Sequence, residues 1–276
     1  MAGGGLRLRR VGRRDVLRAA AALASGAALG LPARAFGFGE EGGFNPRPLL
    51  TGTARWEGVR ASAPARWALE LERRTSSPAR RAPTTVRADE GALLAEPFVL
   101  WGGDADLPAL TDREVAGLRR FIALGGVLFV DDFAPEAAAF SRAARRELGR
   151  VIPEGLPIPI GPESVVFRSF YLLQRAVGRI EGPPRLEAIV RGGLPQVIFS
   201  AHDLAGALAQ SEGGPSISVS PGGERQREMA VRLAVNIAMY VLCSNYKDDQ
   251  VHAPFLMRRR AGDEGGGGRP GGARRP

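Results

Sequence analysis

The segment "LTDREVAGLRRFIALGGVLFVDDF", Leu110 to Phe133, constrains the fold more than any other. Thr111 and Glu114 form a capping box, and Val115, Leu118, Phe121 and Ile122 recur at helical spacing. Gly125 and Gly126 stop that helix. "VLFV" follows at once, with no polar residue at alternate positions. A strand without a polar face is covered on both sides, the condition of a parallel strand between two layers of helix. The segment therefore predicts an α/β domain with a largely parallel sheet.

Other segments fit that frame. "PFVLWGG", Pro97 to Gly103, reads as a short buried strand, and Pro135 to Leu148 as a helix. "RLEAIVRGGLPQVIFSAHDLAGALAQ" predicts a strand, a Gly-Gly turn, a buried strand over Gln196–Ser200 and a short helix from Asp203. "ERQREMAVRLAVNIAMYVLCSN" predicts a long core helix, too short and too polar over Met229–Cys243 to span a bilayer. "RWALELERRTS", Arg66 to Ser76, alternates Trp67, Leu69 and Leu71 with Glu70 and Glu72. It is read as a half-buried strand, with a helix as the open alternative. Residues 150–185 are Pro-rich and irregular, and "SEGGPSISVSPGGE" reads as a flexible loop.

The ends carry the charge. Residues 1–35 hold seven arginines and one acid, and residues 258–276 six arginines and two acids. Between them 25 basic and 26 acidic residues nearly cancel, so the net charge of +9 is no basic face and nucleic acid is not an expected partner. The single cysteine, Cys243, can form neither an internal disulfide nor a cysteine-rich metal site, and its apolar surroundings predict a buried small hydrophobe.

"RRVGRRDVLRAAAALASGAALGLPARAFG" has signal-peptide layout: an Arg-rich start, a 13-residue apolar run from Ala19 to Leu31, and a small-residue site ending at Ala35. Arg13-Arg14 followed by Asp15, Val16 and Leu17, a weakly hydrophobic Ala/Gly run and Arg34 near the cleavage site resemble a twin-arginine signal. The expected organisation is a signal over 1–35, a flexible lead-in over 36–48, one α/β domain over 49–257 and a disordered Gly/Arg tail over 258–276. Cleavage after Ala35 would leave no stable membrane span. The implied partner is the twin-arginine export machinery, and the implied location the periplasm or cell envelope.

Several pieces together resemble a bacterial family known as domain of unknown function 4159. They are "FVLWGG", "LTDREVAGLRRFIALGGVLFVDDF", "FRSFYLL", "VIFSAHDLAGAL" and "RQREMAVRLAVNIAMYVLCSNYKDDQVHAPFL", and the resemblance covers about Phe44 to Arg260. It implies a flavodoxin-like, class I glutamine-amidotransferase-like sandwich and a role in the cell envelope, with an envelope protein as a candidate partner. It brings no established reaction and no cofactor. In amidotransferases a glycine-ended helix leads through a strand to a turn that carries a nucleophilic Cys. Here that turn holds Asp131 and Asp132, and no G-x-S-x-G elbow occurs elsewhere, so the ammonia-releasing reaction is not expected.

Ligand sites in parallel sheets lie at the carboxyl ends of strands. The candidate ends are Gly102-Gly103-Asp104, Asp131-Asp132 and His202-Asp203. Asp131 and Asp132 could hold a divalent metal or polar ligand, although adjacent strand side chains point opposite ways. Their alternative is structural, Asp132 capping a helix and Asp131 bonded to backbone amides. His202 could complete a site with Asp131, while Asp203 is equally placed to cap "LAGALAQ". Tyr246, Lys247, Asp248, Asp249 and His252 follow the long helix as a partner-contact candidate or a solvated loop, and Arg168 with Tyr171 is an anion-contact candidate or a core-edge pair. No zinc signature or phosphate-binding loop is present. The expected function is a non-catalytic ligand- or protein-binding domain; the alternative is a hydrolase using the acids at the sheet's carboxyl edge.

Overall fold

The computed structural model describes residues 43–264, with side chains over residues 43–244. The strands are β1 (Arg47–Leu50), β2 (Val86–Arg87), β3 (Phe98–Gly103), β4 (Val127–Asp132), β5 (Ile158–Ile160), β6 (Leu186–Arg191), β7 (Leu194–Ser200), β8 (Gln210–Ser211) and β9 (Gly214–Pro215). The helices are α1 (Ala63–Thr75), α2 (Asp112–Ala123), α3 (Ala139–Val151), α4 (Leu204–Leu208) and α5 (Gly223–Glu264). Seven strands form one sheet in the order β2-β1-β3-β4-β7-β6-β5. The first five run parallel, and β6 and β5 add as an antiparallel edge. This is a flavodoxin-like α/β sandwich.

The central strands show why their sequences lack polar alternation. On β3, Phe98 and Leu100 face one apolar layer and Val99 and Trp101 the other. On β4, Val127 and Phe129 split from Leu128 and Val130 in the same way. α1, α4 and α5 contribute to the first layer, α2 and α3 to the second. The Trp67 indole N–H donates to the Ala234 carbonyl at 2.7 Å and ties α1 to α5. Arg74 clamps the same pair from outside, donating to Glu228 at 2.9 and 2.8 Å.

Four expectations change. Arg66–Thr75 belongs to helix α1, the alternative reading, with Ser76 as its C-cap. Buried Ala63, Pro64, Trp67, Ala68 and Leu71 follow helical spacing, and Glu70 sits between Arg66 and Arg74, four residues away on either side. Alanine, leucine, glutamate and arginine all favour helix, which overrides the apparent period of two. The lead-in expected over 36–48 is ordered from its later part onward. Phe44 is fully buried against Trp67 and Phe98, and β1 begins at Arg47. Cys243 is exposed, because α5 turns that position away from the sheet. α5 also continues to Glu264, so residues 245–252 are helix rather than loop and residues 258–264 are helix rather than tail. The side chains of Tyr246, Lys247, Asp248, Asp249 and His252 lie outside the described residues, as do Arg13, Arg14, Ala35 and residues 265–276.

The loop expected over 211–224 contains the β8–β9 hairpin. β6 and β7 form a hairpin whose turn, Gly192-Gly193, has φ of 56° and 81°, left-handed values that suit glycine. At the outer edge, Pro159 removes a donor from the three-residue strand β5, which discourages a further strand from pairing there. Among the described residues no helix is long and apolar enough to cross a membrane.

Candidate functional site

Strand β1 connects to β2 on one side and the chain then returns to β3 on the other. The carboxyl ends of β1 and β3 therefore flank a crevice, the usual ligand position in a sheet of this order. A cavity of about 410 Å³ lies there. Its walls come from residues 54–60, after β1, and 102–107, at and after the end of β3, with Phe133 and Phe140 beneath.

Glycines set the floor. A Cβ on Gly102 would come within 2.3 Å of the Phe133 ring, and one on Gly103 within 2.5 Å of Phe140. Their absence lets two aromatic rings close the bottom of the crevice. Trp56 meets Phe133 edge-on at 5.8 Å, and the Arg60 guanidinium lies 4.6 Å over the Phe133 ring. Trp56 and Arg60 were not singled out in the sequence. Their signal would have been a strand at Arg47–Leu50, whose following loop carries them.

Arg60 connects the crevice to the buried acids. It donates to both oxygens of Asp203, Nε to Oδ1 at 2.8 Å and Nη2 to Oδ2 at 2.6 Å. Arg179 also pairs with Asp203. Burial disfavours the charge of Arg60, but the hydrogen bond and charge of Asp203, with Asp131 and Asp104 nearby, outweigh it and raise its pKa above the ordinary value.

The predicted acids converge on backbone amides. Asp131 accepts from Leu204 N at 3.0 Å and Ala205 N at 2.8 Å. Asp132 accepts from Ala134 N at 2.9 Å and Ser141 N at 3.3 Å, so it holds the first turn of α3, which begins four residues later than the Pro135 its sequence suggests. Asp203 caps α4 from a left-handed conformation, accepting from Gly206 N at 2.9 Å. Two acids not singled out as site residues do the same. Glu114 accepts from Gly52 N at 2.6 Å and Thr111 N at 2.8 Å, and Glu147 from Leu110 N at 3.0 Å. All five carboxylates are buried. The amides that a parallel sheet offers to anions at this edge are thus filled by the chain itself.

Burial and the neighbouring Asp203 charge push the Asp131 carboxyl up to about 7, against the two amides of Ala205 and Leu204 that favour its charge. His202 does not join Asp131. Its ring is packed on Gly182 and its backbone and Cβ on Gly178, with Nε2 at 2.9 Å from the Pro183 carbonyl. Burial lowers its pKa despite that carbonyl, and Arg175 adds to the lowering, so Nε2 carries the hydrogen and donates. Among the described residues no three His, Cys, Asp or Glu side chains gather as a metal group. Arg168 is exposed and donates to the Glu163 carbonyl at 2.7 Å, separate from both regions. Tyr171 is a core-edge residue, its backbone held by Asn236 at 2.7 and 2.8 Å and its ring under Arg232.

No curated protein matches the chain at a significant level. One family model, described as Domain of unknown function (DUF4159), matches residues 48–242. That span runs from β1 through the core-packed part of α5 and takes in the crevice, the five buried carboxylates and both apolar layers. The chain belongs to the DUF4159 family.

Proposed function

We propose that this is an exported cell-envelope protein whose α/β domain binds a ligand or protein partner without catalysing a reaction. The crevice between the ends of β1 and β3 is the binding site in this reading. One observation carries it. Asp131 and Asp132, the acids best placed for chemistry, have both oxygens of each carboxylate engaged by backbone amides. A carboxylate held in this way neither attacks a substrate nor activates water without dismantling a helix end.

The hydrolase alternative needs His202 beside those acids, and its ring instead packs against the loop at 178–183. The amidotransferase likeness implied by the sequence concerns the fold alone in this proposal, since Asp131 and Asp132 stand where a nucleophile would be needed. Export rests on the Arg13-Arg14 pattern and the apolar run that follows.

Two measurements test the proposal. Purified protein is screened against chromogenic esters, phosphates and glycosides; turnover abolished by Asp131→Ala or His202→Asn would refute the non-catalytic reading. For export, Arg13→Lys with Arg14→Lys should stop accumulation outside the cytoplasm, and an unchanged distribution would remove the twin-arginine route.

A further inference from the structure

The geometry points to the β1–β3 crevice as a receptor for an organic cation, a guanidinium or ammonium group on a hydrocarbon stem. This rests on the binding reading above and names its ligand class. A cavity of about 410 Å³ suits a group the size of one long side chain better than a dinucleotide.

Few amides beside it are open to an anion. The Gly52 amide, which follows β1, is taken by Glu114. At the start of α1, the Ser62 hydroxyl bonds Gln210 (donating to its carbonyl at 2.7 Å, accepting its amide at 2.8 Å) and does not cap the helix, while Pro64 removes one of the helix-start donors. A phosphate or carboxylate would meet few free donors here.

The walls favour the opposite charge. Glu57, Asp104 and Asp106 line the crevice against Arg55 and Arg60, and Arg60 shares the Asp203 carboxylate with Arg179. Asp106 lies 3.5 Å from Arg146, while Glu57, Asp104 and Arg55 have no ion-pair partner among the described residues, so two acids face one unpaired base. Asp104 is close enough to reinforce the charge on Arg60. The aromatic floor suits a hydrocarbon stem, and Arg60 over Phe133 shows that a guanidinium stacks on it. The guest cation would stack beside Trp56 and be neutralised by Glu57 and Asp104.

The guest's source is either a free amine or a basic side chain of a partner protein, and the test separates them. Of the three tryptophans, Trp67 and Trp101 are buried and Trp56 is partly exposed, so ligand-induced fluorescence change reports on the crevice. Full-length protein is titrated with agmatine, with a Gly-Arg-Gly peptide blocked at both ends, with its citrulline counterpart and with inorganic phosphate. The two cations should change Trp56 emission and the citrulline peptide and phosphate should not. A response to the arginine peptide alone assigns the source to a partner protein, and a response to agmatine as well admits a free amine. Asp104→Asn and Glu57→Gln, both at exposed side chains, should each weaken binding about three- to fivefold, with added salt doing the same. Equal binding of citrulline, preference for phosphate, or silence toward both cations overturns the cation assignment. In those cases a neutral ligand that perturbs Trp56 would still support the binding reading, whereas turnover in the substrate screen would sink that reading instead.

Discussion

The carboxylate of Asp131 accepts the amide of Ala205 at 2.8 Å, so the end of strand β4 closes the helix that follows its neighbour β7. Leu204 gives the second amide. All five residues of α4 are buried, so its first donors need partners from the protein. Asp131→Ala leaves two buried amides unpaired and should cost about 3 kcal/mol in urea unfolding at pH 8. A loss below about 1 kcal/mol would mean that the capping has been overstated.

Asp131 and His202 should give opposite slopes to stability against pH. Asp131 binds its proton more tightly folded than unfolded, since its pKa is pushed up to about 7. Its contribution therefore falls as pH rises from the ordinary carboxylate range to about 7 and is level above. His202 binds its proton less tightly folded, since burial lowers its pKa. Its contribution is complete above the ordinary histidine range and is lost as pH falls through it. Urea midpoints from pH 4 to 8 should show Asp131→Asn removing the falling component and His202→Asn the rising one. Parallel curves for wild type and both variants would contradict these assignments.

Asp203 pairs with Arg60 and Arg179 while capping α4. Asparagine tolerates the same left-handed backbone, with φ of 51°, so Asp203→Asn removes charge without adding backbone strain. Two arginines then lose their counter-charge, and the cost should be about 3 kcal/mol at pH 7. Asp203→Ala should be worse. If the two variants were equally stable, neither the cap nor the backbone would be contributing.

Gly117 and Gly149 both lie inside helices, and alanine should act oppositely at the two. A Cβ on Gly117 would meet the Ala88 carbonyl oxygen at 1.9 Å, whereas one on Gly149 meets nothing within 4 Å. Gly149→Ala should stabilise by about 0.5–1 kcal/mol through helix propensity alone. Gly117→Ala forces α2 off the loop after β2 and should destabilise by about 2 kcal/mol. Thermal midpoints of the two single variants decide this, and a rise in both would show that α2 shifts freely.

The central strands were legible because burial on two sides leaves a plain apolar run, and α2 because its capping box is written in Thr111 and Glu114. Helix α1 was misread because Trp67, Leu69 and Leu71 alternate over too short a stretch to distinguish periods of 2 and 3.6. β1 was hidden in a Pro-containing segment, and with it the loop bearing Trp56 and Arg60. The structural alternative for Asp131, Asp132 and Asp203, as caps and amide acceptors, was legible in the sequence, but which amides Asp131 holds was not. Their partners are backbone amides, which carry no letter in a sequence and become visible only when strand order brings Leu204 to Asp131. One wall of the crevice, Gly102-Gly103-Asp104, was read as a candidate strand end, but the facing wall was not, since it lies some fifty residues away in the chain.

The self-filled amides at the sheet edge also bear on where the domain can work. Proteins that need a bound phosphate or nucleotide to complete such an edge lose stability when that ligand becomes scarce. Here Glu114, Asp132, Asp131 and Asp203 supply the negative charge from within the chain. The domain carries its counter-ions with it, and its folded state should survive transfer between compartments of different phosphate content without adjustment.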